Sequence, residues 1–405
     1  MKGKRSWEKT KNNGNRRHRR AGVLPAALLV AAALLLPAAL SGCSGNGGES
    51  GDGVVDETGQ RQGQTLESEQ ELDQGQGLFS HPDYEEMKLN EWQPKEGYVE
   101  SILYVDSRIA VLALAKEEPK GKGGGLPNPT EYLVLYDQKT GDEKEYELEG
   151  NSIAADAVPY REGFLFMEYN RAEGAPEADL FDWALYYAEE DLQCLDRSTQ
   201  GTSVPSDLCL VDGTPVYVFE TATAESEKGA KPYRVMAVDG LQVRTVWEET
   251  DCELNRSVVS GGSRFAFVFK KEGRYYIQIG DLEGRVKAIP AAEKHLQRFA
   301  LTPDYLVYTT GWDEEDKVLH SIDLASGEEQ TAALHLVFYS LIGGEQQKLL
   351  GNSGREIFSV DPRSMEIRQL YVPEDMEGSI RALYTEVLHE PEAVLDTSKG
   401  IYLIN

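Results

Sequence analysis

Cys43, at the end of the run Leu40-Ser41-Gly42-Cys43, is the residue whose type and position most directly specify chemistry. It lies just past an uncharged apolar stretch, 21–40, and two small residues precede it, so a peptidase can take the backbone into a narrow site while the thiol stays available as a nucleophile. A second set of candidates is a series of acids that each end an apolar run: Asp137, Glu190, Asp239, Asp281, Asp323 and Asp361. Repeated aspartates can ligate calcium, but an Asp that opens a tight turn ordinarily accepts N–H groups from its own backbone, and one acid per repeat spreads the set around a rim. The denser cluster Asp313-Glu314-Glu315-Asp316, beside Trp312, is the calcium candidate, with a solvated acidic loop as its competitor. No other cofactor is implied. There is no G-x-S-x-G, H-E-x-x-H or phosphate loop, and His81, His295, His320, His335 and His389 lack metal spacing. Paired carboxylates of the kind that cleave glycosidic bonds remain open, since their pairing is spatial.

The segment that positions Cys43 has its own grammar. Residues 1–20 hold nine Lys and Arg against Glu8, which keeps this end cytoplasmic as the chain inserts. The apolar run follows, with Pro25 and Pro37 in it, and a single transmembrane anchor is the competing reading. Basic start, apolar run and Leu-Ser-Gly-Cys together resemble the signal peptide and lipobox of bacterial lipoprotein precursors. The resemblance implies that residues 1–42 are removed and that Cys43 carries a diacylglycerol as the new N-terminus. Acyl chains acting together suffice for stable anchoring, so it also implies a lipid-anchored protein on the extracytoplasmic face of the cell membrane.

Residues 43–78 are rich in Gly, Gln, Glu and Ser and contain no aromatic residue. That composition cannot bury enough apolar surface to offset ordering entropy, and it reads as a disordered acidic tether with a reach of roughly 30 Å. Removing 1–42 takes the net charge from −28 to −36, which makes nucleic acid an improbable partner. Cys194, Cys209 and Cys252 follow, an odd number without zinc spacing. Either unpaired thiols or one disulfide, with 194 and 209 closing the shorter loop, fits them.

From residue 79 onward, short alternating apolar runs are broken by Gly, Asp, Asn and Pro, which is strand-and-turn punctuation. The turn acids recur at intervals of 53, 49, 42, 42 and 38 residues, with about four apolar runs per interval. Four antiparallel strands per 40 to 50 residues is the sequence form of an all-β propeller. The turn Asp137-Gln138-Lys139-Thr140-Gly141 resembles those of quinoprotein-type and YVTN-type propeller repeats. The last unit, ending GIYLIN, stops one strand short, and 84–92 is the candidate to complete it. The expectation for 79–405 is therefore one propeller of seven blades closed by an N-terminal strand, or six if a weak unit is misread.

Loops between the second and third strands are long in units one to three and short in unit four (KKEG), which would raise a lip over one face. The functional expectation is a lipid-anchored propeller that binds a protein or glycan partner. A carbohydrate-active enzyme, hydrolase or lyase, is the alternative.

Overall fold

The computed structural model describes residues 82–404 apart from 117–128, 149–151, 172–180, 203–204, 221–232, 250–252, 292–295, 312–316, 344–348, 374–375, 377–379 and 386–392. The segments read as a signal (1–42) and as a tether (43–78), with Cys43, Cys252, the calcium candidates 313–316 and most of the three long loops, lie outside the described residues.

Seven four-stranded antiparallel sheets make up the body, so the chain is a seven-bladed β-propeller. Blades one to six run 98–147, 153–202, 209–249, 253–290, 296–333 and 340–370, each meandering from the innermost strand outward. Packing explains the texture of the strands. Second strands such as Ile109–Ala115 and Arg264–Lys271 are covered on both faces by neighbouring blades and read as nearly continuous apolar runs. Fourth strands such as Glu143–Glu147 and Glu329–Ala333 lie at the outer edge and are mostly polar.

The core is distributed accordingly. Seven hydrophobic clusters fill the seven seams, each with residues from two adjacent blades. In the seam of blades three and four, Tyr233 meets Phe267 edge-on at 5.4 Å between centroids, a preferred aromatic geometry.

Blade seven is built from both ends of the described body. Ile380–Thr385, Ala393–Thr397 and Ile401–Ile404 supply three strands, and Tyr84–Glu86 adds the fourth, with Tyr84 opposite Ile404 and Glu86 opposite Tyr402. The segment expected as one strand over 84–92 is therefore only partly a strand. After Glu86 it turns into a 3₁₀ helix, Lys88–Glu91, because the chain must cross from the outer edge of blade seven to the first strand of blade one. Asn90 fixes this crossing: its Oδ1 accepts the Ile401 N–H at 2.8 Å and its Nδ2 donates to the Ile401 carbonyl at 2.9 Å. Met87 and Leu89, the alternating apolar pair of the sequence, fill the seam between blades seven and one.

The two ends of the ring differ. One carries the tight turns between first and second and between third and fourth strands, the turn face. The other carries the connections between second and third strands and between blades, the loop face. Cys194 lies exposed on the outermost strand of blade two, and Cys209 lies buried on the innermost strand of blade three. Both are free, so the short-loop disulfide does not form.

Candidate functional site

The turn acids are structural. Asp137 Oδ1 accepts the N–H groups of Lys139 and Thr140 at 2.8 and 2.7 Å. Asp323 does the same with Ala325 and Ser326, Asp361 with Arg363 and Ser364, and Asp281 with Glu283 and Arg285. The Thr140 N–H holds Asp137 below the ordinary carboxylate range, and that of Ser326 does so for Asp323. Gly141, at φ +80°, completes the first of these turns. Asp239 opens a tighter turn, pairing across to Gln242. Glu190 caps nothing among the described contacts and instead pairs with Lys144. Among the described residues no group of three or more His, Cys, Asp or Glu is arranged to hold a metal.

A different pair of acids meets at the inner wall. Asp156 lies on the innermost strand of blade two, Ile153–Tyr160, four residues before its end. Asp207 lies four residues before the end of the innermost strand of blade three, Cys209–Val211. The two are level along the axis and drawn together by a hydrogen bond from the Leu208 N–H to Asp156 Oδ2. A β-bulge between Ala154 and Asp156 re-aims this part of the strand. Burial, and then the neighbouring Asp207 carboxylate, push Asp156 well above the usual carboxylate range, and burial raises Asp207 too. Asp207 keeps contact with solvent while the surrounding strands desolvate it. Beside them burial raises the Cys209 thiol, which is hydrogen-bonded to Ser260 on the innermost strand of blade four. Two carboxyl groups so placed titrate as a coupled pair, each above the ordinary carboxylate range.

Further polar groups extend toward the loop face. In blade two, Ser152 Oγ donates to Glu168 at 2.8 Å and accepts from Asn170 Nδ2 at 3.0 Å. Burial raises Glu168 above its usual range, and Asn170 Oδ1 is buried without a partner among the described residues. Asp396, on the second strand of blade seven, is pushed by burial to about 6.

Blade five holds the order of a nucleophilic relay: Thr310 Oγ1 to His320 Nε2 at 2.9 Å, and His320 Nδ1 to Glu329 at 2.8 Å. Tyr308 stacks on the His320 ring at 4.4 Å and donates to the same Glu329 oxygen. Thr310 is only 1% exposed, so no substrate reaches its hydroxyl, and the network ties three strands together. Sequence reasoning did not find the Asp156–Asp207 pair. Its signal was a charged residue at the same offset before a first-strand turn in two consecutive units.

No protein-family model matches the sequence, and no curated protein matches it. Solved structures of similar shape include the polysaccharide lyase Uly1, at 11% identity and TM-score 0.49 over 77% of this chain and 90% of that one. Virginiamycin B lyase from Staphylococcus aureus aligns at 10% identity and TM-score 0.46, over 80% and 98% of the respective chains. A Mycobacterium tuberculosis puromycin-hydrolysing peptidase aligns at 14% identity and TM-score 0.43 over 75% of this chain but only 50% of its own. Identities this low and TM-scores below 0.5 carry nothing about ligand or activity.

Proposed function

We propose that the mature chain is a lipoprotein anchored through Cys43 on the extracytoplasmic face of the membrane and that its propeller binds a glycan at the inner wall of the ring. The observation that carries the binding reading is the convergence of Asp156 and Asp207 from two blades. Carboxyl groups that donate and accept hydrogen bonds suit the hydroxyls of a sugar. A protein partner is less well supported, because the only exposed large apolar side chains among the described residues are the scattered Val99, Leu241, Tyr339 and Tyr371.

The same pair favours a second reading, a carbohydrate-active enzyme. A carboxyl group whose pKa burial raises is suited to act as a general acid, and a partner carboxylate beside it to act as the base. One experiment separates the two: wild type, Asp156→Asn and Asp207→Asn are incubated with a panel of soluble polysaccharides, and both retention and product are followed. Retention without product, lost in the variants, supports the binder. Chain shortening or new unsaturated ends, lost in the variants, support the enzyme, and wild-type behaviour in both variants sinks the site. The anchor is tested separately by fatty-acid labelling of cells, where equal label in wild type and Cys43→Ala refutes it.

A further inference from the structure

A second polar feature stands at the loop-face end of blades five and six and is independent of the acid pair. Tyr339 precedes the innermost strand of blade six, Ser340–Ile342, and remains 47% exposed. An exposed tyrosine ordinarily samples several rotamers, but this one is seated. Its N–H donates to the Asn352 carbonyl at 2.7 Å, and the Cδ2–Cε2 edge of its ring lies against the bare Cα of Gly354. A Cβ there would come within 2.7 Å of ring carbon Cε2, and Gly354 also has φ +85°, so glycine is required twice over. Asn352 Oδ1 in turn accepts the Gly354 N–H at 3.0 Å, which fixes the turn that carries the glycine. The result is an exposed aromatic ring held along one edge.

Arg298 reaches the same place from the innermost strand of blade five, Leu296–Leu301, next to a β-bulge. Its Nε donates to the Tyr339 carbonyl at 2.7 Å and its Nη1 to the Gln297 carbonyl at 3.0 Å. These are neutral acceptors. Among the described residues no carboxylate pairs with this guanidinium, although the chain carries 69 acids against 41 bases, and burial draws its pKa down. A partly desolvated, unneutralised guanidinium is costly unless an anion arrives to meet it.

We propose that Tyr339 and Arg298 form a subsite for an anionic sugar residue, the ring stacking on its apolar C–H face and the guanidinium receiving its carboxylate. The subsite rests on the glycan reading above and names the chemical class of that glycan. Each part supplies what the other lacks. A stacked aromatic orients a sugar without distinguishing its charge, and an arginine recognises a carboxylate by geometry as well as by charge. The strong net negative charge of the chain opposes polyanions at long range, but at 0.15 M salt the screening length is about 8 Å, so the local cation decides.

The test is native affinity electrophoresis of the detergent-solubilised full-length chain at 0.15 M salt, in gels containing polygalacturonate or, separately, neutral dextran. Wild type should be held back by polygalacturonate at least fivefold more than by dextran. Arg298→Gln should remove that preference. Tyr339→Ala should weaken retention at least fivefold, while Tyr339→Phe, which keeps the stacking face, should restore it. Gly354→Ala should mimic Tyr339→Ala with both binding side chains intact, and thermal melts identify any variant that fails to fold. If Arg298→Gln and Tyr339→Ala are held back as wild type is, or if dextran and polygalacturonate act equally on wild type, the subsite is refuted. A wild-type polygalacturonate preference that Asp156→Asn abolishes but Arg298→Gln does not would refute the subsite and leave the glycan reading standing. Retention by neither polymer would refute the subsite and count against the wider reading as well.

Discussion

At the turn face, Asp137 and Asp323 each accept two N–H groups from their own turns and sit below the usual carboxylate range. At the inner wall and toward the loop face, Asp156, Asp207 and Asp396 sit above it, because strands from different parts of the ring desolvate them. The contrast separates two uses of one side chain. An acid bonded to its own backbone is ionised, recurs with the repeat and serves the fold. An acid whose folded pKa is raised costs stability in its charged form, does not cap the repeated turn and is a candidate for a functional role.

The largest effect expected from this contrast is on stability. Asp396 has its folded pKa raised to about 6, so between about pH 4 and 6 the native state holds more protons than the unfolded chain and stability falls as pH rises through that window. Asp396→Asn should reduce the fall and raise stability at pH 7 by about 2 kcal/mol, as read by denaturant titrations at pH 4.5 and 7. A variant less stable than wild type at pH 7 would break the comparison. Next comes binding: Asp156→Asn or Asp207→Asn should lower glycan retention at least tenfold, about 1.4 kcal/mol, while the Tm at pH 7 holds or rises. A fall in Tm with unchanged binding would place the pair with the turn acids. Asp137→Ala should cost about 1 kcal/mol through two lost turn bonds and leave binding untouched. Its contribution has the opposite pH sign, being present above the unfolded carboxylate pKa and lost as pH falls below it. Smallest is Arg285→Gln, which removes an exposed pair with Asp281 and should leave the Tm within about 1 °C.

The same contrast explains what the sequence made legible. Blade number followed from the turn acids, because a tight turn recurs wherever the third and fourth strands are joined and an Asp readily caps it. Four of the six acids cap as expected, and Glu190 misses because blade two turns at Glu189–Asp191 without an Asx cap. The closing segment was legible, but Met87 and Leu89, the pair that marked it, lie beyond the strand Tyr84–Glu86, in and before the 3₁₀ helix that the sequence did not show. That helix answers to Ile401, which approaches Asn90 only in the closed ring. Asp156 and Asp207 were invisible as a pair for a similar reason. They lie 51 residues apart, and their shared environment is created by desolvation and by a bulge, neither of which leaves a periodic trace. Arg298 and Tyr339 are further hidden, since the glycine that seats the ring reads in the sequence as an ordinary turn residue.

The pairing of Tyr84 with Ile404 also sets an order in time. Among the described strands, Tyr84–Glu86 emerges first as the chain is made, and its partner Ile401–Ile404 emerges last. Six blades can form as they emerge, each from neighbouring stretches of chain, while the first strand waits without a partner. Ring closure is thus the terminal folding event, with a contact spanning 320 residues, and it should be the slowest kinetic phase. Until that moment the newborn protein carries an open sheet edge on blade seven and an uncovered seam against blade one, the surfaces most prone to capture by another chain.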